Sequence, residues 1–227
     1  MPSTKTRTVV ITIDGPAGAG KSTVAKELAR RLGYAYLDTG AMYRALTLKA
    51  LRLKVNLESE DDLVALAQKT TLDLVTDKNN KLKVIIDGED VSESIRTLEV
   101  TNNTFYIARA PRVRAIMVDW QRKIGAKNNI VVEGRDTGTV VFPAATCKFY
   151  LDADFEERCQ RRINELRAKG TPLDEEALKS DLKARDQKDL NRPVGPLKKA
   201  DDAHYLDTTH MAPQGVVEKL LGYINHG

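Results

Sequence analysis

Eight consecutive residues, Gly15-Pro16-Ala17-Gly18-Ala19-Gly20-Lys21-Ser22, carry the strongest chemical signal in the chain. They fit G-x-x-x-x-G-K-[ST], in which glycines let the backbone close on a phosphate and successive N–H groups form an anion nest. The spacing gives Lys21 a reach to β- and γ-phosphates and gives the Ser22 hydroxyl a place on Mg²⁺, with Thr23 next in the same turn. A second segment, Glu133-Gly134-Arg135-Asp136-Thr137-Gly138-Thr139, sets charged residues between two glycines. A third is the arginine series Arg158, Arg161, Arg162, Arg167, Arg185 and Arg192, with Asp189 among them. Arginine offers phosphate a bidentate, permanently charged contact. Phosphoryl transfer needs positioning and charge neutralisation more than covalent chemistry, and these are its ingredients. Neither Asp-x-x-Gly nor Asn-Lys-x-Asp occurs, which speaks against a guanine-nucleotide switch. No dedicated general base stands out. That suits a phosphate acceptor, whose second pKa near 6 leaves it a nucleophilic dianion at pH 7.

The elements that must hold these residues follow from periodicity. Val9-Val10-Ile11-Thr12-Ile13 reads as a buried strand before the loop; Val24, Ala25, Leu28, Ala29 and Leu32 recur at helical spacing after it, and Gly33 stops the helix. Strand, glycine loop and helix are the context the phosphate motif requires. Residues 34–37 read as a second strand, and either Thr39 or Asp38 caps a helix over residues 41–53. Asp38-Thr39 serves equally as a cap or as a ligand contact, beside Arg44. This βαβα rhythm predicts an α/β fold with a parallel central sheet, helices on both faces, and ligands beyond the carboxyl ends of the strands.

Ser59-Glu60-Asp61-Asp62 opens a helix to about residue 69. Alternation over 71–76, a turn at Asp77-Lys78-Asn79-Asn80, a β-rich run over 81–86 and the hairpin signal Asp87-Gly88 then predict a small antiparallel insertion over about 70–95. A helix follows over 97–110. Pro111 begins the next, with Val113, Ile116, Met117, Trp120 and Ile124 as its core stripe. Residues 130–132 and 148–151 read as further strands, the first delivering Glu133 and Arg135 to its carboxyl end. The charged helices on either side of Lys169-Gly170-Thr171-Pro172 read either as a solvated surface or as a short lid over 156–192 that closes arginines on phosphates. Residues 205–207 and a helix from Pro213 finish one domain, 1–227.

Composition bounds the partners. With 227 residues, 41 % hydrophobic and 30 % charged, the chain suits one α/β domain. It holds no apolar run of the roughly 18 residues that span a membrane, and no secretory h-region. A cytoplasmic protein without membrane partners is expected. Cys147 and Cys159 lack metal-ligand or redox spacing, and His204, His210 and His226 lack ligand spacing. A net charge of +4 suits an anionic ligand, while 5 % aromatics offer few stacking platforms for nucleic acid. No nucleic-acid partner is expected.

Taken together, the Ile11-Thr12-Ile13-Asp14-Gly15-Pro16 lead-in, Leu37-Asp38-Thr39-Gly40-Ala41-Met42-Tyr43-Arg44, the Gly134 to Val141 segment and Arg185-Asp186 through Asp189 to Asn191-Arg192 resemble the bacterial cytidylate kinases. The resemblance runs over nearly the whole chain in unbroken order. It implies a P-loop three-layer sandwich, a monophosphate-binding region over about 38–110, and transfer of the ATP γ-phosphate to CMP or dCMP with Mg²⁺. A monomer is expected. The resemblance implies that Arg114 and Asp136 face the cytosine edge, Arg185 and Asp189 the sugar, and Thr39, Arg44, Arg135 and Arg192 the phosphates. Lys21, Arg135 and Arg192 then carry the catalytic charge, and Arg158 or Arg162 joins on the ATP side. Two positions depart from the family pattern. Glu133 stands where many members have Asp, and Phe105, beside Thr104, stands where some place a base-contacting serine.

Overall fold

The computed structural model describes residues 8–76, 82–168, 170 and 173–226. Its regular elements, in chain order, begin with β1 (Val10–Asp14), α1 (Lys21–Leu32), β2 (Ala35–Asp38), α2 (Thr39–Arg52), α3 (Glu60–Gln68), β3 (Leu72–Thr76), β4 (Leu82–Ile86) and β5 (Glu89–Asp90). They continue with α4 (Leu98–Arg109), α5 (Pro111–Gly125), β6 (Ile130–Gly134), β7 (Cys147–Asp152), α6 (Phe155–Ala168), α7 (Glu175–Asn191), β8 (His204–Asp207) and α8 (Pro213–His226). The chain forms two compact units, Met1–Ala35 with Asn129–Gly227, and Tyr36–Asn128.

The first unit is built on the strands β6, β1, β7 and β8, adjacent in that order. Strand β1 runs parallel to both β6 and β7, and β7 parallel to β8. Ile11, Ile13, Ile130, Val131 and Val132 are wholly buried, as expected of strands covered on both faces. Strand β1 runs one residue beyond the expected Ile13, because Asp14 pairs in register with Gly134. Strand β2 likewise starts at Ala35, since the Tyr34 N–H is taken by the Ala29 carbonyl in the turn that ends α1 at Gly33. Helix α1 packs on β6 and on α8. Helices α6 and α7 form the expected hairpin. Of the break between them, Lys169, Thr171 and Pro172 lie outside the described residues. Helix α7 starts at Glu175 rather than about Leu173, because the Asp174 side chain accepts from the Ala177 N–H and caps it there. A π-helical turn over Thr137–Val141, not anticipated from periodicity, follows β6.

In the second unit the predicted insertion is present as an antiparallel sheet of order β3-β4-β5. The turn expected at Asp77-Lys78-Asn79-Asn80 lies outside the described residues. Asp87 and Gly88 both have positive φ, 50° and 87°, the geometry of the tight turn their types predict. Val84, Ile86, Val91 and Ile95 pack on Ala41 and Ala45 of α2. The Thr97 hydroxyl caps α4, and Pro111 occupies the first turn of α5. On α5 the expected stripe is deepest at Val113 and Met117. The polar Arg114 and Gln121 are buried almost as fully.

Candidate active site

The phosphate loop joins β1 to α1, and its conformation excludes side chains where the motif has glycine. Gly15 has φ +149°, and a Cβ there would lie 1.9 Å from the Leu151 carbonyl oxygen. Gly18 has φ +80°, and its Cβ would meet the Arg158 Cβ at 2.9 Å. Pro16 accepts at its carbonyl from Lys21 Nζ at 2.6 Å, and the Ala17 carbonyl accepts from Arg158 Nη1 at 3.0 Å. The Ala19 carbonyl takes a long bond from the Thr208 hydroxyl. Gly20 ends the loop as the N-cap of α1 with no side-chain oxygen over the helix N–H groups, so the positive end of the helix faces out. Ser22 and Thr23 are exposed at this end, and Ser22 Oγ donates to Glu133 Oε2 at 2.8 Å.

Lys21 is buried among charges of both signs. Burial pushes its ammonium pKa down to about 7; the Arg135 and Arg185 charges add to that, while Glu133 and Asp189 oppose it. Arg135 Nε donates to Asp189 Oδ2 at 2.7 Å, and Arg192 Nη2 to Asp136 Oδ1 at 3.0 Å. Burial alone would raise the Asp189 carboxyl, but the nearby Arg135 and Arg185 guanidiniums hold it below its ordinary value. Arg192 also donates from Nε to the Gly195 carbonyl. The first unit therefore gathers Lys21, Arg135, Asp136, Arg185, Asp189 and Arg192 from the phosphate loop, the end of β6 and the end of α7.

Of the two arginines expected on the ATP side, Arg158 lies against the loop. Its Nε bonds the Ala153 carbonyl, and its Nη1 bonds Asp186 Oδ2 at 2.6 Å besides Ala17. Arg162 instead pairs with Glu165, one turn along the same helix, at 2.6 Å. Arg161, a member of the arginine series not assigned to the ATP side, also lies near the loop. Its Nη1 donates to Thr208 Oγ1, and its Nη2 to the Thr208 and Thr209 carbonyls. A Cβ on Gly20 would lie 3.8 Å from that Nη1. The i,i+4 spacing to Glu157 was visible in the chain, but the partnership with Thr208, 47 residues away, had no local signal.

In the second unit Asp38, of the pair Asp38-Thr39, is the helix cap. Asp38 Oδ1 accepts from the Ala41 N–H at 2.8 Å as the α2 cap, and its Oδ2 pairs with Arg44 at 3.1 Å. Thr39 is the buried first residue of the helix. Arg114 is 2 % exposed, with Nη1 toward the Ala108 carbonyl at 3.3 Å and its guanidinium 5.6 Å from the Tyr43 ring centroid. Such a position is maintained by surrounding acceptors and π-faces rather than by water. Thr104 donates its hydroxyl to the Val100 carbonyl within α4, while Phe105 packs edge-on to Tyr106 beneath Arg109.

No group of three or more His, Cys, Asp or Glu side chains able to hold a metal occurs among the described residues. Among those residues no helix is long and apolar enough to cross a membrane.

Comparison with known proteins shows the family. A family profile described as cytidylate kinase matches residues 11–226. A cytidylate kinase of Geobacillus sp. is 48 % identical over 95 % of this chain and 96 % of its own. One from Caldanaerobacter subterraneus subsp. tengcongensis is 47 % identical over 94 % and 93 %. Among solved structures, an uncharacterised protein from Eubacterium ventriosum superposes with a TM-score of 0.52 at 12 % identity, over 97 % of this chain and all of its own, a likeness of fold. By the profile match and by these relatives, the chain belongs to the cytidylate kinase family.

Proposed function

We propose that the protein transfers the γ-phosphate of ATP to CMP or dCMP, giving ADP and the corresponding diphosphate. The observation that carries the reading, beside family membership, is the cationic cluster of the first unit: a phosphate loop whose lysine shares its surroundings with Arg135, Arg185 and their carboxylates. A triphosphate and a monophosphate both need such charge, and their arrival favours the charged Lys21, which burial first and the Arg135 and Arg185 charges second disfavour. Gly15 to Thr23 and Arg158 hold the donor in this reading. Arg44, Arg135 and Arg192 with Thr39 balance phosphate charge. Arg185 and Asp189 hold the sugar, and Asp136 accepts from the exocyclic amine of cytosine, which uracil lacks, while Arg114 donates to ring acceptors.

The acceptor phosphate attacks as a dianion, so the protein needs no base to activate it. Its residues orient the two phosphates in line, exclude water and neutralise charge. The donor set also fits Mg²⁺. One hydroxyl, Ser22 Oγ, stands 2.8 Å from one carboxylate, Glu133. Magnesium keeps most of its shell for water and substrate phosphate, so few protein ligands suffice. Ser22 would hold the ion and Glu133 one of its waters, and the ion would neutralise charge shared between β- and γ-oxygens. The longer Glu133 side chain still reaches the serine, so it serves where many members carry Asp.

The test is ADP release, coupled to a reporter enzyme, with CMP, dCMP, UMP, AMP and shikimate each offered as acceptor. Turnover with CMP and dCMP ahead of UMP supports the reading. Turnover confined to AMP or to shikimate sinks it.

A further inference from the structure

Asp14 is the last residue of β1 and the residue before the phosphate loop, and the chemistry above does not use it. It is 4 % exposed. Its Oδ1 accepts from the Thr137 N–H at 2.9 Å and from the Thr137 hydroxyl at 2.8 Å, and its Oδ2 accepts from the Gly138 N–H at 2.7 Å. A buried carboxylate that takes two consecutive backbone N–H groups and a hydroxyl is a strong and directional anchor. The anchored residues open the π-helical turn over Thr137–Val141. That turn fits closely: a Cβ on Gly138 would lie 2.9 Å from Thr12 Oγ1 and 3.4 Å from Asp14 Oδ2.

The same residue also fixes the other end of the segment. In the sheet register Asp14 lies opposite Gly134, the last residue of β6. The chain from β6 is thus pinned at Gly134 by the ladder and at Thr137 and Gly138 by the Asp14 side chain. Only Arg135 and Asp136 lie between the two pins. Asp136 has φ −142° and ψ 25°, away from both strand and helix. A residue in a sparsely populated conformation holds it only when its surroundings impose it.

We propose that Asp14 is a positioning residue for the acceptor: through Thr137 and Gly138 it sets the Arg135-Asp136 pair, and so ties acceptor recognition to the phosphate loop that begins at Gly15. The assignment of acceptor contacts to Arg135 and Asp136 rests on the proposed function. Burial opposes the charge on Asp14 and raises its pKa above the ordinary aspartate value, whereas the three donors lower it, so the bonds offset part of what the site costs in stability. An Asp14→Asn side chain keeps one acceptor oxygen but presents an N–H₂ to the Gly138 N–H, which opposes donor to donor.

Steady-state kinetics of the full chain test this with two substrates varied in turn. Asp14→Asn is expected to raise the KM for CMP about tenfold and to reduce the preference for CMP over UMP, with the KM for ATP changed less than about twofold. Thr137→Ala removes one of the three bonds without touching the carboxylate. It is expected to shift the same two quantities in the same direction by about threefold, and Thr137→Ser, which restores the hydroxyl, is expected to return them. The Thr137 pair keeps the proposal testable if Asp14→Asn fails to fold. Equal rises in both KM values, a fall in Tm with unchanged acceptor preference, or a Thr137→Ser variant no better than Thr137→Ala would each overturn it. Wild-type enzyme inactive on CMP would instead refute the proposed function, so the two failures are distinct.

Discussion

Lys21 shows what a phosphate site costs the empty protein. Its ammonium is buried against the Pro16 carbonyl with two guanidinium charges nearby, and its pKa falls to about 7. The unfolded lysine titrates near 10.4, so between those values the unfolded chain binds the extra proton. Stability from this group is therefore poorest below about pH 7, where the folded protein must carry the buried charge, and improves as the pH rises toward the unfolded value. Replacing the lysine should reveal this: Lys21→Met is expected to raise Tm at about pH 6 while abolishing turnover, with the gain in Tm shrinking toward about pH 10. Thermal melts across that range check it; a Tm gain independent of pH would contradict it. A docked triphosphate restores the charge. At about pH 8, ATP binding should therefore take up close to one proton, read from the buffer dependence of the calorimetric binding enthalpy.

At the scale of elements, the strand–loop–helix around Gly15 to Ser22 was legible because its residues are contiguous and its steric demands are local. Gly15→Ala tests that demand. A Cβ placed 1.9 Å from the Leu151 carbonyl cannot be accommodated without displacing β7, and φ +149° is itself closed to alanine. We expect the variant to lose ATP-dependent turnover at least a hundredfold and to lose about 3 kcal/mol or more of unfolding free energy, read as a lower Tm. A variant with wild-type KM for ATP would contradict the geometry. The antiparallel insertion was legible for the same reason, from Asp87-Gly88 and the flanking alternation. The π-helical turn was not. Its first two residues bond to Asp14, more than a hundred residues away in the chain, and periodicity carries no trace of those bonds. Helix α7 was legible as a charged helix but ambiguous between surface and lid. Its hydrogen bonds show what its charges do: Asp186 binds Arg158, and Asp189 binds Arg135. Asp186→Ala leaves the buried Arg158 charge without this carboxylate, held by two carbonyls and the Phe155 ring, and faster amide exchange over residues 175–191 is the expected outcome. Unchanged exchange would show that this ion pair does not restrain the helix.

For the whole molecule, the order of motifs along the chain was more informative than any one of them. The phosphate loop alone indicates a superfamily, and the segments at 37–44, 134–141 and 185–192 indicate the family. Which atoms meet was not legible. The resemblance implies Arg158 or Arg162 at the ATP side, and of the two only Arg158 lies against the loop. An arginine's partner depends on which carboxylate its helix face meets, and Glu165 takes Arg162. Net charge is a property of the entire chain, and at +4 with cationic groups gathered in the first unit it favours approach of anions. Raising NaCl from about 50 mM to about 500 mM should lower kcat/KM for CMP several-fold while kcat changes little, because screening acts on encounter. The central claim is that Asp136 reads the base of the acceptor. The most direct measurement is the ratio of kcat/KM for CMP to that for UMP in wild type and Asp136→Ala. The ratio is expected to collapse by about a hundredfold, with nearly all of the loss on CMP. An equal loss on both acceptors, with the ratio preserved, would show that Asp136 orders phosphate or structure and would contradict the account.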